Sequence, residues 1–86
     1  MTENEYIKGL ATKIATKSGA AFAKDVENLL IQEEENLRNN RWTNEGIRRL
    51  WESLGIAIKE QYHGVTDANA QTAMTILDGR KAVLKG

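Results

Sequence analysis

Glu60 and His63 stand three residues apart in Glu60-Gln61-Tyr62-His63, the Glu-x-x-His spacing that di-iron bundles turn inward on metal. A dimer would supply two such elements, with Glu33 or Glu27 to complete a ligand set. The helical wheel argues against it. Glu60 and His63 fall on the polar side of their segment, opposite the apolar stripe that faces a core. A solvated pair is the better reading, and no metal or other cofactor is expected.

Other chemistry has little to work with. Cysteine is absent, which excludes a disulfide framework, thiolate metal sites and thiol catalysis. His63 is the single histidine, and no serine has a recognisable activating base beside it. Neither a phosphate-cradling glycine loop nor a dinucleotide fingerprint occurs. The residue types therefore point away from an enzyme.

Charge is more informative by position than in total. Twelve basic and twelve acidic residues cancel, so no global field draws the chain to nucleic acid or membrane. Asp25, Glu27, Glu33, Glu34 and Glu35 form an acidic block, and Arg38, Arg41, Arg48 and Arg49 follow it, with Trp42 and the amides of Asn39 and Asn40 among them. A turn bearing Arg41 and Trp42 that opens a helix at Thr43 could hold an anion, or grip a nucleic-acid backbone. The competing reading is structural: Glu45–Arg49 and Arg48–Glu52 have the i,i+4 spacing of helical ion pairs, and Trp42 caps the core. The two blocks would also suit antiparallel self-association, each meeting its opposite.

These residues must be positioned by helices. Proline is absent and aromatic residues make up only 6% of the chain, a composition that favours helix over sheet. Tyr6, Ile7, Leu10, Ala11, Ile14 and Ala15 recur at three- and four-residue spacing, and Ser18-Gly19 interrupts them. Phe22, Val26, Leu29, Leu30 and Leu37 mark a second helix that Asn39-Asn40 ends. Glu33 lies in that stripe between Leu30 and Leu37, and is expected at the rim or paired with a cation, because an unpaired buried carboxylate is costly. Thr43 caps the third helix, with Asn44 its close competitor. For the fourth, Gly64 stops the third helix, Thr66 is the cap, Val65 a staple residue, and Ala70, Ala73, Met74 and Leu77 the apolar face.

Two stretches admit a second fold. Leu54-Gly55-Ile56 resembles the turn of a helix-turn-helix, which needs a small residue about four positions earlier and an apolar one about six later. Trp51 and Gln61 occupy those positions, and both are wrong. One helix keeps Ile47, Leu50, Trp51, Leu54, Ile58 and Tyr62 in a single stripe, for a glycine cost of only about 1 kcal/mol. Gly55 then reads as a tolerated small residue. Asp78-Gly79 is a hairpin signal, but nothing else in the chain offers a strand, so a helix is preferred, interrupted near Gly79 at most. In that helix Lys81 points into the apolar stripe.

The expected architecture is all-α, a single domain over 1–86 with four helices near residues 4–17, 20–38, 44–63 and 66–84. A chain of this length buries roughly 60–65% of its unfolded surface, so a homodimer would be an ordinary supplement. Ile31 and Ile56 lie opposite their core stripes, which suggests helices with two apolar contacts, one of them with a partner. No apolar run approaches a transmembrane length and the N-terminus lacks a secretory pattern, so a cytoplasmic, soluble protein with no membrane partner is expected. The preferred function is a small non-enzymatic module that binds another protein to regulate or inhibit it, through Ile31, Arg38, Arg41, Trp42, Arg48, Arg49 and Ile56. Its size and style suit a phage or mobile-element accessory protein. The alternative is a nucleic-acid-binding regulator using the arginines, with Lys81 and Lys85.

Overall fold

A computed structural model describes residues 2–63 and 67–85 as four α-helices: α1 (Glu3–Ala15), α2 (Phe22–Asn39), α3 (Asn44–Gln61) and α4 (Ala68–Lys85). No strand occurs among the described residues. The architecture is the expected all-α bundle.

Each helix start that the structure describes with a side-chain cap follows from its local residues. Thr2 and Glu5 form a reciprocal capping box on α1: the Thr2 hydroxyl accepts from the Glu5 N–H and the Glu5 carboxylate accepts from the Thr2 N–H. Thr43, not Asn44, caps α3, its hydroxyl accepting from the Gly46 N–H at 3.1 Å. The Asp67 carboxylate accepts from the N–H groups of Asn69 and Ala70 at 2.8 and 3.2 Å, and so serves as the cap of α4. The expected stop at Gly64, staple at Val65 and cap at Thr66 lie outside the described residues. α2 begins at Phe22, two residues later than its pattern suggests, with no side-chain cap. Gly19, at φ +86°, makes the turn before it.

α3 is the centre of the packing. It carries α1 on one side and α4 on the other, and α2 lies mainly against α4. The sequence of principal contacts is therefore α1–α3–α4–α2. The core comprises Ile7, Leu10 and Ile14 of α1, Phe22, Val26 and Leu30 of α2, Ile47, Trp51, Leu54 and Ile58 of α3, and Ala73, Leu77 and Leu84 of α4. Leu29, Leu37, Tyr62 and Met74 are half-buried against it. The Tyr62 hydroxyl donates to the Ile14 carbonyl at 3.4 Å, tying the end of α3 to α1.

Gly55 corrects the expectation of a merely tolerated residue. It is buried inside an uninterrupted α3, and a Cβ there would lie 3.3 Å from Met74 Cε and 3.5 Å from Leu77 Cδ2. The missing side chain lets α4 approach, which is why glycine sits mid-helix at the crossing. A helix-turn-helix is excluded. α4 likewise runs unbroken through Asp78-Gly79, so the hairpin alternative is overturned. A continuous helix brings Arg80 and Leu84 onto α2 and the core, where a lone hairpin would leave them unsupported.

Candidate functional site

Two arrangements stand out: a charged cluster inside the molecule and a hollow at the junction of α1, α2 and α3. Glu34 is the buried one, at 0% exposure. Its carboxylate accepts from Trp51 Nε1 of α3 at 3.0 Å and from Arg80 Nε of α4 at 3.0 Å, and Arg80 Nη2 makes the second arm of a bidentate pair. Arg38 Nη2 lies 3.8 Å away. The donation to Glu34 holds the Arg80 guanidinium above its ordinary pKa against the burial that would lower it, and the charges of Glu34 and Glu27 add to the shift. The cluster fastens three helices at one point.

Glu33, the acid expected in the stripe, stands half-buried beside it. It accepts from the Tyr6 hydroxyl at 2.7 Å and from Asn36 Nδ2 at 3.4 Å. Burial first, then this bond and the Glu33 charge, push the Tyr6 phenol well above its ordinary pKa. The rim position anticipated for Glu33 is observed, but its partner is a phenol rather than a cation. Glu34 and Arg80 escaped the sequence reading. Leu30 and Leu37 bracket both acids at helical spacing, and Phe22, Val26 and Leu29 favour Glu33; Glu34 is the buried one because α4 packs on that flank of α2.

The α2–α3 junction is built by a complete Schellman motif. The Trp42 N–H donates to the Leu37 carbonyl at 3.0 Å and the Arg41 N–H to the Arg38 carbonyl at 2.9 Å, the two bonds that close a helix around a left-handed residue. That residue is Arg41, at φ 70°. Trp42 then directly precedes the Thr43 cap, and its side chain packs half-buried against the core. A Cβ at Gly46 would lie 3.2 Å from Trp42 Cε3. Trp42, Leu37, Leu50, Tyr6, Thr2 and Glu3 line a mostly apolar hollow of about 210 Å³.

The expected partner-binding residues fall into separate groups. Trp42 and Arg49 share a second hollow with Glu3, Gly46, Leu50 and Ser53. Ile56, 61% exposed, borders the next hollow along the α1–α3 groove, with Asn4, Ile7, Lys8, Ser53, Ala57 and Glu60. Ser53 is common to both, so Trp42, Arg49 and Ile56 share one side of the molecule. Ile31, 39% exposed, lies on α2 instead. Val83 on α4, at 60%, is a third exposed apolar side chain that the sequence reading did not single out.

The arginines do not form a free anion cradle. Arg48 pairs with Glu52 at 3.1 Å and Arg49 with Glu45 at 3.0 Å, as the i,i+4 spacing predicts. Arg38 Nε donates to Asn44 Oδ1 at 3.1 Å. Arg41 is exposed at the tip of the turn. The acidic block is also divided, since Glu34 is spent on Arg80 and Glu33 on Tyr6. Asp25, Glu27 and Glu35 are the members of the block that stay exposed. Lys81 pairs with Asp78 at 3.2 Å at the edge of α4.

Glu60 and His63 are both exposed and line a wide cleft with Lys8, Thr12 and Gln61. Among the described residues no group of three or more potential metal-ligating side chains gathers. No helix there is long and apolar enough to cross a membrane. No protein-family model, curated protein or solved structure matches the chain.

Proposed function

We propose that this chain is a non-enzymatic interaction module that regulates or inhibits a partner protein and that also associates with itself as a homodimer. The observation that carries the reading is the Trp42 hollow. Its apolar walls are preformed by a Schellman turn and a capped helix, so an incoming side chain would meet a socket already ordered. Exposed Glu3 in its wall and exposed Arg49 in the adjoining hollow provide charges of both signs to orient a partner. Large apolar anchors in small preformed sockets dominate many protein interfaces.

The test is affinity purification from the native host, coupled to measurement of the protein's own mass in solution. A partner retained by the wild type and lost on Trp42→Ser, with helix content unchanged, is the expected result. Capture indifferent to Trp42→Ser removes the socket from the reading. The same reading makes the chain a cytoplasmic phage or mobile-element accessory protein, which its genomic neighbourhood and fractionation of the native host test.

Nucleic-acid binding is the weaker second reading, favoured only by the exposed Arg41 at the turn. It requires an affinity that falls steeply with salt, roughly one log-log unit per phosphate neutralised. Absence of duplex and single-strand binding at low salt eliminates it.

A further inference from the structure

The outer face of α3 has a pattern independent of the core. Arg49, Ser53, Ile56 and Glu60 are all exposed and follow one another at spacings of four, three and four residues. At about 100° per residue they form one narrow stripe along the helix. These are neighbouring positions of one helix face, and Ile56 is its single large apolar side chain. Yet among the described residues no other helix of the chain covers Ile56.

We infer that this stripe is the homodimer interface, in which α3 packs antiparallel against α3 of a second copy about a two-fold axis between Leu54 and Gly55. The inference rests on the self-association proposed above and assigns it a surface. The argument is one of complementarity. Antiparallel pairing about that axis sets Arg49 opposite Glu60 of the second copy, and Ile56 opposite its Ser53. Both relations occur twice by symmetry. The hollow beside Ser53, with Ile7, Ala57 and Ile56 as its apolar wall and Asn4, Lys8 and Glu60 as its polar rim, receives the isoleucine. On one flank Glu52 falls within two residues of Lys59 across the axis.

The stripe therefore matches itself in charge. A parallel arrangement would instead set Arg49 against Arg49 and Glu60 against Glu60. Arg49 leaves only an exposed intrahelical pair with Glu45, which is worth little in water, so exchanging it across the interface costs little. One helix face is narrow, smaller than the roughly 800 Å² per partner of a standard interface. The dimer should accordingly exchange with monomer.

Sedimentation equilibrium from micromolar to millimolar protein provides the test, with circular dichroism confirming that each variant is folded. The wild type should dimerise, and Ile56→Asp should weaken the dimer about 100-fold, because both isoleucines are lost at once. Arg49→Glu alone should weaken it about 10-fold by opposing Glu60. Arg49→Glu combined with Glu60→Arg should restore it to within about threefold, since the charges match again in reverse. A wild type that is monomeric at millimolar concentration overturns both this interface and self-association. A dimer unaffected by Ile56→Asp, or a double variant no better than Arg49→Glu, overturns the interface and leaves self-association standing. Ile31→Asp, on another face, should change nothing.

Discussion

Arg80 of α4 reaches across to Glu34 of α2 with two guanidinium nitrogens, while Trp51 of α3 supplies a third donor to the same carboxylate. A buried carboxylate of this kind is stabilising only while its donors are present. Removing one partner leaves an uncompensated charge, at a cost of about 3–5 kcal/mol. Small domains have roughly 5–15 kcal/mol in total. Arg80→Met should therefore lower urea resistance severely. Arg80→Met with Glu34→Leu should recover much of the loss, leaving chiefly the Trp51 N–H without an acceptor. A double variant as unstable as Arg80→Met alone would show that the charge is not what the arginine answers.

Gly55 and Gly79 make a controlled comparison within helices. Alanine is favoured over glycine in a helix interior by about 1 kcal/mol. At Gly79 nothing lies within 4 Å of an added Cβ, so Gly79→Ala should raise stability by close to that full amount. At Gly55 the methyl would press on Met74 Cε and Leu77 Cδ2, and a flexible methionine end can yield a few tenths of an ångström. Gly55→Ala should thus gain less than Gly79→Ala, and Gly55→Leu should cost about 1–3 kcal/mol through overpacking. Thermal melts of the three variants decide the order.

Arg41 holds a left-handed conformation that L-residues adopt at a cost of roughly 1–2 kcal/mol. Arg41→Gly should relieve part of this and raise Tm, by about 4–8 °C for each kcal/mol regained in a domain of this size. An unchanged or lower Tm would mean that the arginine side chain contributes more at the turn than the backbone loses.

Tyr6 gives the fold an alkaline limit. A phenol whose folded-state pKa stands above its ordinary 10.0 contributes stability that is complete below that value. The contribution is lost as pH rises through the folded-state pKa, because the unfolded chain releases its proton first. Tyr62, raised by burial and then by the charge of Asp67, acts in the same direction. Stability should decline above about pH 10, and less steeply in Tyr6→Phe. At neutral pH that variant should lose about 1 kcal/mol with the Glu33 hydrogen bond. Paired denaturant titrations at neutral and alkaline pH measure both effects.

The helices and most of the core were legible because apolar spacing reports directly on which face is buried. Ile47, Leu50, Trp51, Leu54 and Ile58 needed no tertiary knowledge, and the surface pairs of Arg48 and Arg49 follow from spacing on one helix. The central ion pair was not legible, because it depends on which helices become neighbours. The wheel of α2 sets Glu33 in the stripe of Phe22, Val26 and Leu29 and Glu34 about 100° from it, and on α4 it sets Lys81 rather than Arg80 in the apolar stripe. Gly55 looks permissive in the sequence for a related reason: a glycine's value at a crossing depends on what crosses it. Periodicity places surface residues one helix at a time, so their division between the α1–α3 side and α2 follows only from the packing order.

The packing order α1–α3–α4–α2 also bears on how the chain is made. Among its principal contacts, only α3 and α4 are neighbours in sequence. During synthesis α1 has no principal partner until the third helix emerges, and α2 waits for the fourth. Ribosomes add roughly 5–20 residues per second, so the first half of the protein spends seconds as unpartnered amphipathic segments. The last turns of α4, carrying Arg80 and Leu84, then lock both halves together.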